Sequence, residues 1–350
     1  MALPAPPQPK RPWVAAVAIV AVLASATAAN AQRADRTVEE HIAIARAAAY
    51  RPGQDFIDVF ETLCEPAMSE EGPREPGLQV APSLAERRVP PRSEWYAEPG
   101  KVFDNLYYVG SARDSIWAIT TSAGIIVVDT GYDYSIEELT NGLKTFGLDP
   151  ADITHVVLSH AHGDRYFGAK FLQDTYGSRI IMSETDWDVM AKSNEPPEIK
   201  ARKDIVATDG MQLTLGDMTL TLYITPGHTP GTISTVVPGL RDGHQRHVGV
   251  IWGGMNPSFE RYGIQYYPSL AATFKAWSAS IWRFKDIAEN AGADAYLAIH
   301  PHYDRTLDKL RAVKYRRPGD PHPFIGTDAV DRFLTIMGEC TDAQLGRVTE

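Results

Sequence analysis

The residues that could do chemistry are concentrated in one short segment, SHAHGDRYFGA at positions 159–169. His160 and His162 are two positions apart after an apolar run, so the end of an extended strand can direct both imidazoles to one point. Gly163 allows a turn that brings the carboxylate of Asp164 towards the same cavity. Imidazole and carboxylate ligands with room for water are typical of catalytic zinc. A lone His-x-His is more often structural, so the metal interpretation depends on further ligands elsewhere in the chain.

Other polar residues stand at the ends of β-type apolar runs. His228 lies in TPGHTPGT after LYI, His300 follows YLAI, and Asp129 follows IIVV. Strands of one α/β sheet deliver such residues to one edge, where these proteins build their sites. We therefore expect His228 and His300 to join the cluster around residues 160–164. His302, two positions further on, is an alternative ligand.

The flanking sequence predicts the elements that must carry these residues. From Lys101 the chain reads as β-rich runs in series, followed by strands that alternate with helical segments. Ser135 and Glu138 indicate the start of one helix. A second helix is expected at about 166–176, and a long one begins near Ser269. Two mixed sheets with helices outside them suit a layered α/β sandwich.

The N-terminal part reads as a helical extension. Thr37 and Glu40 form a capping-box pattern, which predicts a helix through about Ala49. An apolar stripe at helical spacing follows at 55–64. Residues 65–95 are rich in Pro, Glu and Arg without periodicity and read as a linker. A C-terminal helix is expected to cover the 55–64 helix with the apolar stripe Val330, Phe333, Leu334 and Met337.

The first 31 residues have the features of a secretory signal peptide. Two basic residues precede an apolar run from Trp13 to Ala29, which ends in an A-x-A pattern at Ala31. A retained membrane anchor is the alternative, because the run approaches the roughly 20 residues that span a bilayer. We expect cleavage after Ala31 and an exported, periplasmic protein. Cys64 and Cys340 are then expected to form a disulfide, with two buried free thiols as the alternative.

The charge of the chain restricts its partners. The formal net charge is −10 at pH 7 over 350 residues. An acidic protein is repelled by phosphate backbones and by anionic membrane surfaces. We therefore expect a small-molecule substrate, with no nucleic-acid partner and no membrane partner after cleavage of the signal. The sequence does not predict an oligomeric state.

The pattern of these residues resembles the metallo-β-lactamase superfamily. H-x-H-x-D after an apolar strand, TPGHTPG, an earlier Asp-Thr and a distal strand-end histidine carry the resemblance over about residues 95–325. TPGHTPGT and HPHYD are most similar to the third subclass of metallo-β-lactamases and to related exported hydrolases. The resemblance implies a four-layer αββα sandwich, here with an N-terminal helical extension. Together with the signal peptide and the extension inferred from the residues, the resemblance divides the chain into a signal peptide (1–31), the extension and linker (32–95) and the hydrolase domain (96–350).

The resemblance also implies a ligand set. The first zinc would be held by His160, His162 and His228, and a second by Asp164 and His300. In the family the aspartate is normally followed by a histidine that completes the second site. Here Arg165 stands in that place, and a guanidinium cannot ligate a metal. We therefore predict one zinc and a centre that is mononuclear or weakly dinuclear.

The chemistry implied is hydrolysis of an amide or ester carbonyl by metal-bound hydroxide, with a β-lactam as a plausible substrate. Asp164 is expected to orient the attacking water and to take its proton. Arg165, also assigned to catalysis, is expected to pair with Asp164, to bind a substrate carboxylate, or to fill the vacated pocket. Asp129 is expected to support a ligand. The alternatives are a lactonase or thioesterase, or a binding protein whose site has been weakened by Arg165.

A substrate pocket is harder to predict. The segment IWGGMNPSFERYG after the last long β run contains three large side chains that could line it. An ordinary place in the core is at least as consistent with their types. The three residues are Trp252, Met255 and Tyr262.

Overall fold

In this computed structural model, the described residues are 33, 35–49, 56–64, 88–258, 260–261, 264–326 and 328–349. The predicted signal at 1–31, most of the linker and Tyr262 lie outside them. Among the described residues, no helix has both the length and the apolar character that crossing a bilayer requires.

The described residues form strands and helices over most of their length. The strands are β1 (Gly100–Phe103), β2 (Leu106–Tyr108), β3 (Trp117–Thr121), β4 (Gly124–Val128), β5 (Ile153–Val157), β6 (Arg179–Ser183), β7 (Ile205–Ala207), β8 (Met211–Leu215), β9 (Met218–Ile224), β10 (Ile233–Asp242), β11 (Gln245–Ile251), β12 (Glu260–Arg261), β13 (Ile264–Gln265) and β14 (Ala295–Tyr296). The α-helices are α1 (Val38–Ala49), α2 (Ile57–Leu63), α3 (Ile136–Thr145), α4 (Gly163–Tyr166), α5 (Ala169–Tyr176), α6 (Glu184–Lys192), α7 (Leu270–Asn290), α8 (Thr306–Tyr315) and α9 (Ala329–Thr349).

Two sheets face each other across the main core. One has seven strands in the order β1-β2-β3-β4-β5-β6-β7, and the other has five in the order β14-β11-β10-β9-β8. Alternate residues of β4 point to opposite faces, as a strand requires. Ile126 and Val128 belong to the core between the sheets, whereas Ile125 and Val127 belong to a second core under α3, α5 and α6. Helices α7 and α9 pack on the five-stranded sheet. The predicted αββα sandwich with its N-terminal helical extension is confirmed.

The topology brings the ends of several strands to one edge. Strands β4, β5 and β6 are parallel, with Val128 opposite Val157, so the residues that follow them emerge side by side. A backbone hydrogen bond from Ile233 N to Ser159 O, 2.7 Å long, joins the end of β5 to the start of β10 in the other sheet. Loops from both sheets therefore meet at the same edge.

The N-terminal extension docks on the C-terminal helix. Thr37 and Glu40 make both bonds of the predicted capping box: Thr37 N donates to Glu40 Oε2 at 2.8 Å, and Glu40 N donates to Thr37 Oγ1 at 3.2 Å. The Phe56 ring packs against Phe333 of α9 at 5.5 Å. A disulfide joins Cys64, just after α2, to Cys340 in α9. The predicted pairing of the extension with the C-terminal helix is therefore present.

Several local predictions need correction. The predicted linker already carries structure at its end, because Arg92–Glu94 forms a 3-10 helix and Trp95 is buried. Ser135 precedes α3 but does not cap it, since its hydroxyl donates to Tyr132 O instead. The helix predicted at 166–176 is interrupted between α4 and α5. A side chain at Gly168 would collide with Thr130, so the chain must pass close to the end of β4 there.

The disulfide should contribute substantially to stability. The double substitution Cys64→Ala with Cys340→Ala is expected to lower the free energy of unfolding by about 2–5 kcal/mol, because the bond closes a long loop, with a sequence separation of 276, in the unfolded chain. Urea unfolding of the oxidised proteins measures the difference. Reduced wild-type protein is the control and should match the variant. Equal stability of oxidised and reduced wild type would contradict the prediction.

Candidate metal centre

Three histidines from two loops converge at the shared edge of the two sheets. His160 follows β5, His162 immediately precedes α4, and His228 lies in the turn between β9 and β10. Their ring centroids are 4.3–4.7 Å apart, and their ligand nitrogens lie within 4.8 Å of one another. His160 and His162 are buried, and His228 is half-buried. The three residues predicted to bind the first metal are therefore brought together.

Hydrogen bonds orient two of these rings. His160 Nδ1 lies 2.8 Å from Gly253 O, and His228 Nδ1 contacts Asn256 O. A carbonyl only accepts, so each Nδ1 must carry the proton, and each Nε2 then presents a lone pair. The two Nε2 atoms face each other at 3.0 Å. Gly254 makes this packing possible, because a Cβ there would lie 2.2 Å from His228 Cβ.

The electrostatic environment keeps these rings neutral. Burial, reinforced by neighbouring cationic groups, holds the pKa values of His160 and His162 well below the ordinary value for histidine. Burial likewise lowers the pKa of His228 to about 4. Neutral imidazoles are the form that binds metal. At neutral pH the cluster therefore presents lone pairs rather than protons.

The Asp-Thr pair after β4 makes hydrogen bonds along this edge. Asp129 accepts from Ser159 N at 2.7 Å and from Ser159 Oγ at 2.9 Å, and Ser159 Oγ lies 3.1 Å from His160 Nδ1. Thr130 binds the backbone carbonyl of Arg165 through both its N and its Oγ1. Burial raises the pKa of Asp129 to about 6, although Arg165 and Ser159 oppose that shift. Asp129 thus reaches the histidine only through Ser159.

Asp186 is a supporting residue that the sequence analysis missed. It is fully buried and accepts from Ala161 N at 2.9 Å, Thr229 Oγ1 at 2.7 Å and Gly231 N at 2.8 Å. One carboxylate therefore ties the loop of His160 and His162 to the loop of His228. The sequence signal that could have indicated Asp186 is the pattern Ser-x-x-Asp at the end of a strand, which is typical of a helix start. Ser183 does cap α6, because its hydroxyl accepts a hydrogen bond from Asp186 N.

Removing the acceptor of Asp186 should weaken metal binding. Asp186→Asn keeps the size of the side chain but cannot accept from three donors at once, so the two loops should separate. We expect zinc affinity to fall by about 10–100-fold, as for other groups that orient ligands. Competition with a chromophoric chelator measures the affinity. Asp188→Asn on the exposed face of the same helix is the matched control and should leave it unchanged; equal affinities of the two variants would contradict the role of Asp186.

Beside the histidine cluster, the predicted second-metal ligands are in contact with Arg165. Asp164, His300 and the unpredicted Asp114 form a compact group with ligand atoms within 4.8 Å of one another. Arg165 Nη2 lies 3.0 Å from Asp114 Oδ1 and 3.2 Å from His300 Nε2, and it also binds Asp164 Oδ2. The guanidinium thus occupies the middle of this group.

Arg165 is fully buried, which decides between its predicted roles. Burial alone would lower its pKa, but Asp164, Asp129 and Asp114 raise it above the ordinary value, so it remains charged. Burial would raise the pKa of Asp164, but Arg165 outweighs it and holds that pKa far below the usual range. A side chain with no exposed surface does not reach a substrate. The predicted binding of a substrate carboxylate is therefore wrong for this geometry, and Arg165 fills the pocket and pairs with Asp164.

The predicted pocket residues divide differently. Trp252 and Met255 are buried in the core between the sheets, which corrects their assignment to the pocket. Tyr266 was not among the predicted site residues, but its hydroxyl lies 3.4 Å from His162 Nε2 and its ring stacks on that imidazole. Its position just after the β12–β13 hairpin carried no recognisable motif. His302 is exposed and belongs to neither of the two groups found among the described residues.

Comparison with known proteins agrees with this geometry. The model of the metallo-β-lactamase superfamily matches residues 114–242. The crystal structure of BJP-1, a subclass B3 metallo-β-lactamase of Bradyrhizobium japonicum, is 26% identical with a TM-score of 0.62, covering 73% of this chain and 96% of that one. The predicted similarity to the superfamily, and to this subclass within it, is confirmed.

Curated relatives are matched over shorter segments. Metallo-beta-lactamase domain-containing protein 1 of Xenopus laevis is 30% identical over 33% of this chain and 44% of its own length. Exodeoxyribonuclease WalJ of Streptococcus pneumoniae is 26% identical over 31% of this chain and 39% of its own length. N-acyl homoserine lactonase AttM of Agrobacterium fabrum is 35% identical over 27% of this chain and 40% of its own length. This chain therefore spans less than half the length of these relatives.

Proposed function

We propose that this chain, which has the metallo-β-lactamase fold, is a metal-dependent hydrolase that uses zinc held by His160, His162 and His228 to cleave an amide or ester bond. A small molecule is the substrate class that this fold implies. The three imidazoles at the edge of the two sheets, oriented by hydrogen bonds, are the donor set that supports a metal there.

One observation carries the proposal: a lone pair of the buried His160 and a lone pair of the half-buried His228 face each other. His160 Nε2 and His228 Nε2 are 3.0 Å apart, and the bonds at Nδ1 leave neither nitrogen a proton to donate. Two opposed acceptors in a buried site are unfavourable unless a cation binds both. Three neutral imidazoles with room for a further ligand are a catalytic zinc set. Held by these three residues, a zinc ion would supply Lewis-acid activation of water, whose pKa it would lower to about 7.

The protein's own groups would then position the reactants. Arg165 binds Asp164 through Oδ2, which leaves Oδ1 to accept a hydrogen bond from a water. The low pKa of Asp164 suits it to orienting that water rather than to keeping its proton. The Tyr266 hydroxyl, next to His162, can donate to a substrate oxygen.

The substrate is most consistent with a β-lactam, since the subclass B3 enzyme BJP-1 is similar along most of its length. A lactone is the second candidate, because AttM, an N-acyl homoserine lactonase, is 35% identical to this chain over 105 residues. A thioester fits the same chemistry. The match to an exodeoxyribonuclease adds nucleic acid to the substrates that must be tested, although the net charge of −10 disfavours it.

A single panel tests the proposal. Zinc content is measured on protein purified without chelators, together with turnover of a chromogenic cephalosporin, a homoserine lactone, a thioester and single-stranded DNA. We expect bound zinc and zinc-dependent turnover of the cephalosporin. Turnover of the lactone or thioester alone would support that alternative. Zinc binding without any turnover would favour a binding protein, and absence of zinc would overturn the proposal.

We further propose that the protein is exported, with residues 1–31 as a cleaved signal, 32–95 as the extension and 96–350 as the hydrolase domain. The Cys64–Cys340 disulfide supports this, because such bonds persist in oxidising compartments such as the periplasm. N-terminal sequencing of the protein recovered from the periplasm should begin at Gln32. An intact N-terminus in the membrane fraction would indicate a retained anchor instead.

A further inference from the structure

The group of side chains beside the histidine cluster binds a cation that is part of the protein itself. We propose that Asp114, Asp164 and His300 form a site for the guanidinium of Arg165, and that this site excludes a second metal ion. The inference rests on the proposed function only in placing a metal at the neighbouring histidines. It assigns to Asp114 a role that no sequence pattern indicates.

The guanidinium is bound on all sides. Arg165 Nε donates to Asp164 Oδ2 at 2.9 Å, and Nη2 donates to the same oxygen and to Asp114 Oδ1 at 3.0 Å. Nη1 donates to Ile299 O at 2.9 Å and lies 3.4 Å from Asp129 Oδ2. Every nitrogen of the planar fork therefore has an acceptor, which is how a buried arginine is normally satisfied.

His300, the histidine of this group, also contacts Arg165 through its ring nitrogen Nε2. His300 Nδ1 lies 2.9 Å from Arg113 O and so must donate to that carbonyl. His300 Nε2 is left as the acceptor, and it faces Arg165 Nη2 at 3.2 Å. The lone pair that would bind a metal is therefore already used. This is the reverse of the histidine cluster, where the lone pairs at Nε2 face each other.

The charges of the surrounding carboxylates explain why the Arg165 guanidinium is stable in this pocket. Three buried carboxylates, Asp114, Asp129 and Asp164, surround one guanidinium, so the cation neutralises part of a strongly negative pocket. A divalent ion entering the pocket would meet a fixed like charge at contact distance, and Arg165 has no exposed path by which to leave. Asp114 links two members of the group, since its carboxylate contacts both Arg165 Nη2 and His300 Nδ1, the latter at 3.4 Å. The pocket thus selects a guanidinium over a metal.

The first test uses the wild-type protein and its stoichiometry. Zinc titrated into metal-free protein, followed by isothermal calorimetry and elemental analysis, should saturate at about one ion per chain. Tight binding of a second ion would overturn the inference. Absence of any zinc would instead overturn the proposed function and leave the guanidinium site to be decided by the rescue experiment below.

The second test converts the site. Arg165→His removes the fixed cation and adds an imidazole, which can serve with Asp164 and His300 as a third metal ligand. The zinc content should therefore rise from about one ion per chain towards two. Arg165→Lys, which keeps the charge, and Arg202→His, which adds a histidine at an exposed ion pair, are the controls and should stay at the wild-type level. A folded Arg165→His protein with unchanged zinc content would overturn the inference.

The third test is chemical rescue in the presence of a chelator, so that it does not depend on any metal. Arg165→Ala leaves a guanidinium-shaped gap among the three carboxylates. Millimolar guanidinium should raise the thermal midpoint of this variant, whereas sodium chloride at equal ionic strength should not. Wild-type protein, whose site is filled, should show no such rise. Equal responses of wild type and variant to guanidinium would overturn the inference.

Discussion

Replacing His228 by Ala should release the metal and abolish hydrolysis. The variant retains His160 and His162 but loses the lone pair that faces His160 Nε2, so two imidazoles from one loop are left to hold the ion. The affinity for zinc should fall by more than the 10–100-fold typical of residues that only orient ligands. Activity should fall with metal occupancy, because the nucleophile depends on the bound ion. Zinc content after dialysis and the kcat/KM for the best substrate of the panel measure both effects.

The matched control for this change is His244→Ala. His244 lies at the exposed turn between β10 and β11, away from the cluster, so its removal should change neither zinc content nor kcat/KM. The fold of both variants is checked by their thermal midpoints in the presence of chelator, where the metal cannot contribute. Full activity of a folded His228→Ala protein would show that the reaction takes place at another centre.

Replacing Arg165 by Met should cause the largest loss of stability. The substitution keeps much of the volume of the side chain but leaves Asp114, Asp129 and Asp164 without their buried cation. Breaking a buried charge group in this way costs about 3–5 kcal/mol, because an uncompensated charge stays buried. Urea unfolding at pH 7, with chelator present, measures the loss. Arg202→Met, at a surface ion pair, should cost at most about 1 kcal/mol.

The loss should depend on pH with a definite sign. Without the guanidinium, burial is left to raise the pKa values of Asp129 and Asp164 in the folded state above those in the unfolded chain, so the folded protein takes up more protons as the pH falls. Burial already raises the pKa of Asp129 to about 6 in the wild type. The deficit of the Arg165→Met protein should therefore shrink as the pH falls from 7 to 5. A deficit that is constant or grows over this range would show that lost packing, not uncompensated charge, causes the destabilisation.

The convergence of the three candidate metal ligands could be predicted because their signals are local. His160, His162 and His228 stand at the ends of apolar runs, and the position of a residue at the end of a strand is set by the two-residue period of the strand itself. The capping box of Thr37 and Glu40 is equally local, since both of its bonds span three residues. The sheets and their layers follow from the same alternation of apolar and polar residues.

Local patterns also misled where a competing partner was close in space. Ser135 has the type and spacing of a cap, but its hydroxyl finds Tyr132 O, so the helix begins without it. Trp252 and Met255 lie one and four residues after a strand, where pocket residues are common, yet the strand end runs into the core between the sheets. Sequence spacing indicates which residues follow the end of a strand or helix. Packing decides whether their side chains face a pocket or the interior.

The types of the candidate ligands and the arginine at position 165, where a histidine would complete a second site, can be read directly from the residues. The location of the Arg165 guanidinium and the groups that hold it depend on the folded chain. Its partners Asp114 and His300 are 51 and 135 positions away along the chain, and Asp186 is 43 and 45 positions from Thr229 and Gly231. Such contacts carry no periodicity or motif, because they depend on which loops the two sheets bring to one edge. The same arginine could have faced a substrate or a carboxylate cluster, and the burial of its charge among three carboxylates selected the second.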